Sequence, residues 1–179
     1  LWETQGVMFA TSTGDIRRNK LAACVPRAPL GNRGMEFDDE TQTIIDVALA
    51  TEQDDVLLTT AQGQCIRFPV EDIRVFGGGG STGTSTGVRG ILLAARDKVI
   101  SMAILNHFDA DSGERVAYLK MRRAIAGEAE NGLAEPAAAE EGEEASDNAT
   151  ISPERYAAMS ASEQIVLTLS VNGYGKRTS

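Results

Sequence analysis

Histidine occurs once in these 179 residues, as His107, and cysteine twice, as Cys24 and Cys65. A single histidine supports neither a Ser/His/Asp triad nor a histidine-rich metal centre. Two distant cysteines make neither a disulfide framework nor a zinc site, so a reducing, cytoplasmic setting is expected. No run of about 18 apolar residues is present, and no helical membrane span is expected. The opening Leu1-Trp2-Glu3-Thr4-Gln5 lacks an initiator methionine and a basic-then-apolar signal pattern, which suggests a piece of a longer protein. The acidic groups Asp38-Asp39-Glu40 and Asp54-Asp55 sit at turn-like positions and read as solvated turn residues. Gly77 to Gly87 formally contains G-x-G-x-x-G. The following Val88-Arg89-Gly90-Ile91-Leu92 reads as strand, and no lysine follows as a phosphate loop requires. The segment is expected to be a connector. No enzymatic constellation remains.

Repetition is what the chain does have. Phe9-Ala-Thr-Ser-Thr-Gly-Asp-Ile-Arg-Arg18, Leu58-Thr-Thr-Ala-Gln-Gly-Gln-Cys-Ile-Arg67 and Leu167-Thr-Leu-Ser-Val-Asn-Gly-Tyr-Gly-Lys-Arg177 share one plan. Each has an apolar strand-type stretch, a turn with glycine, and a strand ending in a basic residue. Aligned on Gly14, Gly63 and Gly173, the basic ends are Arg18, Arg67 and Arg177. Strands are expected at Val7–Thr11, Asp15–Lys20, Thr43–Ala50, Asp55–Thr60, Gln64–Val70 and Lys98–Leu105, from Val, Ile and Thr enrichment and Gly/Asn/Asp/Ser punctuation. Self-similarity at this period marks radial or stacked repeats, and about four strands per unit is the content of one propeller-type blade. The expectation is an all-β fold of antiparallel blades over 1–105 and 164–179.

Residues 106–163 interrupt the plan. A basic helix is expected at about 114–126, carrying Arg115, Lys120, Arg122 and Arg123, with Ser112 as its cap. The Ala/Glu/Gly-rich stretch 128–150 is expected to be a disordered linker, and Ser152-Pro153 to open a short helix to about 161. This insertion also explains the net charge of −9. Ten acidic residues and one basic lie between Gly127 and Glu163, leaving sixteen of each sign elsewhere.

The basic residues recur in phase: Arg17, Arg18 and Lys20, then Arg67, then Lys176 and Arg177 on strands, with Arg33 and Arg89 in Gly-x-Arg-Gly. Strand-borne Arg and Lys often only protect edges or pair across strands. Two in-phase series around a ring would instead form a basic rim for the regularly charged backbone of duplex DNA. Such contact reads backbone, not bases.

The wording of Val7-Met-Phe-Ala-Thr-Ser-Thr-Gly-Asp-Ile-Arg-Arg-Asn-Lys-Leu21, Thr86-Gly-Val-Arg-Gly-Ile91 and Asn172-Gly-Tyr-Gly-Lys-Arg-Thr178 resembles the C-terminal domain of bacterial DNA gyrase A. The resemblance implies a partial β-pinwheel whose basic perimeter wraps double-stranded DNA. It carries over Arg17, Arg18, Lys20, Arg33, Arg67, Arg89, Lys176 and Arg177 as rim contacts. Implied partners are the rest of the gyrase A polypeptide, as a dimer, and gyrase B, in an A2B2 bacterial type IIA topoisomerase associated with the nucleoid. ATP and Mg2+ would serve that holoenzyme elsewhere; no cofactor and no catalytic residue is expected in this chain. The family's gyrase box, a basic glycine-rich heptapeptide, is absent, and the acidic insertion departs from the family pattern. The corresponding domain of topoisomerase IV matches these phrases more loosely. A propeller-like protein-interaction module without DNA binding is the alternative from another class.

Overall fold

The computed structural model describes residues 2–24, 33–38, 40–76, 85–125 and 150–179. Most of the glycine-rich connector and nearly all of the acidic linker fall outside them. Two units divide the chain, Leu1–His107 and Phe108–Ser179.

In the first unit, β1 (Gly6–Thr11) pairs antiparallel with β2 (Asp15–Lys20), and a short helix, α1 (Leu21–Cys24), follows. β3 (Ile44–Ala50) pairs with the other edge of β1. The second repeat copies this: β4 (Asp54–Thr60) lies between β5 (Cys65–Pro69) and a later strand, Val99–Asn106. Between those two run β6 (Val75–Phe76) and β7 (Val88–Arg89), so the later strand is β8.

The correspondence extends to single hydrogen bonds. Ala10 lies opposite Ile16 in the first hairpin and Thr59 opposite Cys65 in the second, the same position relative to the turn glycine. The register of β1 against β3 shifts between Ala10 and Thr11, and that of β4 against β8 between Thr59 and Thr60. The amide of Gly14 donates to the Thr11 carbonyl at 3.2 Å and that of Gly63 to Thr60 at 3.1 Å. Both glycines adopt positive φ, 92° and 89°, where a Cβ is penalised. The residue after each glycine donates its amide to the threonine Oγ1, Asp15 to Thr11 and Gln64 to Thr60, each at 3.1 Å. Sequence periodicity thus becomes a repeated turn.

β6 and β7 break the local rule. They follow β5 in sequence but pair with β2: Arg18 faces Val75 and Asn19 faces Phe76 in parallel, and Asp15 faces Arg89 antiparallel. The second repeat therefore covers the outer strand of the first. Among the described residues, β5 itself ends its sheet, bonded to β4 alone. Met8, Ala10 and Ile16 from the first blade and Val56, Leu58, Val99 and Met102 from the second share one core with Val70, Ile73 and Ile91. Removing one such side chain, as in Leu58→Ala, costs about 2–5 kcal/mol.

In the second unit, α2 (Ser112–Ile125) and α3 (Pro153–Ser162) occupy the expected positions. The cap of α2 is a correction: the Asp111 carboxylate, one residue before Ser112, accepts the Glu114 amide at 2.7 Å. Ser152 caps α3 as expected, accepting the Arg155 amide at 3.1 Å. Tyr118 and Tyr156 join the helices, their ring centroids 5.2 Å apart. The last hairpin, β9 (Val166–Leu169) and β10 (Gly175–Thr178), sets Leu169 opposite Gly175 in the same register as the other two. Gly173 has φ of 83°, and its amide reaches the Ser170 carbonyl at 3.0 Å. This hairpin bonds only to itself among the described strands, so it falls with the helices.

Candidate nucleic-acid interface

The eight basic residues expected on a rim separate into a buried pair and an exposed set. Arg17 is fully buried and Arg18 is 5% exposed. The expectation that these two present charge on the surface is corrected by their placement on β2, which β6 and β7 cover. The Arg17 Nε donates to Asn19 Oδ1 at 2.7 Å, and its Nη1 donates to Ser85 Oγ at 2.5 Å and to the Ser85 carbonyl. Its guanidinium lies 4.2 Å from the Phe76 ring centroid. Burial, reinforced by the Arg74 guanidinium, holds Arg17 below its ordinary pKa. Arg18 donates to Glu52 at 2.7 Å and to the Val70 carbonyl at 3.3 Å, while its buried Nε has no partner among the described residues. Asn19, also buried, donates to the Gly34 carbonyl at 2.7 Å. These groups fasten the covering segments to β2; burying them without partners would be costly.

The Gly-x-Arg-Gly phrase has a different logic. Gly87 has φ of 102°, and a Cβ there would sit 2.5 Å from the Ile16 carbonyl oxygen. At Gly90 a Cβ would meet Leu58 Cδ1 at 2.8 Å, and the Gly90 amide donates to the Gly14 carbonyl at 2.8 Å. Both glycines are pressed onto the blades and Val88 packs against the core, which leaves Arg89 exposed between them. The matching Arg33 is also exposed, and among the described residues it pairs with an exposed Glu36 at 3.6 Å. Gly31 and Asn32 lie outside the described residues. Gly34 is seated like Gly90: a Cβ would meet the Phe9 ring at 2.9 Å.

On the strands, Lys20 is exposed just past the buried run of β2. Arg67, at the register position of Arg18, has a side chain 47% exposed and donates to Asp55 Oδ2 at 2.7 Å. The other Asp55 oxygen meets His107 Nδ1 at 2.9 Å. Asp55 is buried, which corrects its reading as a solvated turn residue: the second position of β4 points its carboxylate under Arg67 and His107. Lys176 and Arg177 are exposed on β10, in the other unit.

Two exposed arginines escaped the sequence reading. Arg74 stacks on Phe76 at 4.5 Å, and Arg96 holds a positive φ of 66°. Neither belongs to a repeated series, so periodicity gave no signal; Arg74 two residues before Phe76 was the available cue. Among the described residues no cluster of three metal-ligating side chains occurs. No helix is long and apolar enough to cross a membrane, again among the described residues.

A five-stranded sheet, whose β2 is covered by β6 and β7 from the next repeat, and a three-stranded sheet with the same hairpin plan define a β-pinwheel of the propeller class. The model of the DNA gyrase C-terminal domain, a β-propeller, matches residues 54–106 and 164–179. The DNA gyrase A protein of Granulibacter bethesdensis is 40% identical over 185 aligned residues, spanning 100% of this chain and 19% of that protein. Its counterpart in Rickettsia bellii is 36% identical, over 99% of this chain and 18% of its own length. The solved C-terminal domain of DNA topoisomerase IV superposes with a TM-score of 0.52 at 18% identity, covering 58% of this chain and 31% of that one, and supports the fold alone. The chain belongs to the DNA gyrase A C-terminal domain family and spans about 19% of the length of the Granulibacter relative.

Proposed function

We propose that this chain binds and wraps duplex DNA for a gyrase, through phosphate contacts from Lys20, Arg33, Arg67, Arg89, Lys176 and Arg177. The carrying observation is the Gly87–Gly90 phrase: its glycines are consumed by packing while Arg89 stands exposed, with no side-chain partner among the described residues. Arg17 and Arg18 hold the blade together instead. In this reading the remainder of gyrase A, together with gyrase B, ATP and Mg2+, completes an enzyme that introduces negative supercoils, and this chain supplies the path of the DNA. Bending 20–30 base pairs by 40–90° costs about 1–6 kcal/mol, so several weak phosphate contacts must act together.

A salt series with a duplex of about 40 base pairs tests this. Each lost phosphate contact lowers the slope of log affinity against log salt by about 0.9. Lys20→Gln with Arg33→Gln and Arg89→Gln is expected to lower it by about 2–3. An unchanged slope would return these residues to ordinary surface chemistry. The same arginines serving only solubility is the reading of a protein-interaction module, and it gives no steep salt dependence to lose.

A further inference from the structure

Among its described residues, the insertion carries basic side chains that no described acidic side chain pairs with. Of the cations on α2 and α3, two are spent inside the helix pair. Arg122 Nη1 donates to Glu163 Oε1 at 2.5 Å, beside the Tyr118 hydroxyl donating to Oε2 at 3.1 Å. Arg155 donates to both oxygens of Glu114, at 2.8 and 2.7 Å, and to the Asp109 carbonyl at 2.6 Å. Arg115, Lys120 and Arg123 are left at the surface; among the described residues, the only contact from them is Arg115 Nε to the Asp111 carbonyl at 3.4 Å.

At 3.6 residues per turn these three fall within an arc of about 140° around Val116, opposite the buried Ala117 and Tyr118. Glu114, the one acidic residue of α2, lies on the far side and is taken by Arg155. A helix face that docks on protein shows apolar anchors one turn apart. Here the arc holds three cations against one exposed apolar side chain, Val116, with Leu119 half-buried between them. From Arg115 to Arg123 the face runs about 12 Å along the axis. Over that length duplex DNA presents about seven charges, and arginine forks fit phosphate well.

We propose that the Arg115–Lys120–Arg123 face of α2 is a second contact surface for the phosphate backbone of duplex DNA, lying on the insertion and not on the blades. It rests on the DNA-binding reading above, but its residues belong to neither repeated series. The full-length protein carrying this chain, titrated with a duplex of about 40 base pairs across a salt series, tests it. Arg115→Gln with Lys120→Gln and Arg123→Gln is expected to lower the salt slope by about 2–3, with an unchanged melting temperature because all three side chains lie at the surface. Arg115→Lys with Arg123→Lys is expected to keep the slope. A slope unaltered by the glutamine variant, or an affinity that rises, overturns the proposal. The Lys20, Arg33 and Arg89 variant run alongside separates the two readings. If it alone lowers the slope, only the helix surface fails; if the helix variant alone lowers it, the blade surface fails and the helix surface stands.

Discussion

The first and second hairpins share a turn, a register and a basic residue at the same position, yet that residue does different work in each. Arg18 is enclosed and bonded to Glu52 and Val70, whereas Arg67 stands half in solvent above Asp55. The strand itself does not decide this. β2 is covered by β6 and β7, while β5 has no outer neighbour among the described strands. Equivalent positions in a repeat share backbone geometry, and neighbours assign the chemistry.

Breaking the covered side of this comparison gives the largest effects. Arg17→Ala strips partners from buried Asn19 and from Ser85 and opens a void against Phe76, so unfolding is expected to be easier by about 3 kcal/mol, read by urea denaturation. A loss within about 0.5 kcal/mol, the range of an ordinary surface substitution, would mean that Arg17 is not holding the covering segment.

The turn glycines sharpen the comparison. Gly14 and Gly63 share the same backbone region, so alanine at either carries a left-handed penalty of about 1 kcal/mol. At Gly14 the new Cβ also meets the Ile91 carbonyl oxygen at 2.7 Å, while at Gly63 nothing lies within 4 Å. Gly14→Ala is therefore expected to cost at least twice as much as Gly63→Ala. Equal losses in paired melting experiments would contradict the covered-versus-open distinction.

On the open side, Arg67→Ala leaves the buried Asp55 carboxylate with His107 alone. The arginine is half exposed, which discounts the usual buried-pair penalty, and about 1–2 kcal/mol is expected. The smallest effect is in the helix pair. Hydrogen bonding from Arg155 holds the Glu114 carboxyl below its ordinary pKa of 4.5. A depressed carboxylate contributes stability above its unfolded pKa and loses it as pH falls through the folded one. Melting temperature is thus expected to fall slightly more below about pH 4.5 in the parent than in Glu114→Gln; parallel acid curves would remove this link.

Much of this was legible beforehand. Glycine turns flanked by Val, Ile and Thr runs announced the hairpins, and the alignment on Gly14, Gly63 and Gly173 anticipated the pairing of Ala10–Ile16, Thr59–Cys65 and Leu169–Gly175. The Pro153 start and the Ser152 cap announced α3. What stayed hidden was long-range. Nothing near Arg17 says that Ser85 and Phe76, some sixty residues away, will close over it. Nor does the local sequence say that Asp55, in an acidic pair beside a turn, will be the buried partner of Arg67 and His107. Burial of charge depends on which strand covers which, and strand exchange between repeats sets that.

The most direct test compares two variants of the full-length protein in one salt series with the same duplex. Lys20→Gln with Arg33→Gln and Arg89→Gln is predicted to lower the salt slope by about 2–3 at constant melting temperature, while Arg18→Gln is predicted to lower the melting temperature and leave the slope alone. The reverse pattern, with the slope following Arg18 and ignoring the exposed set, would contradict the division of labour between buried and exposed basic residues.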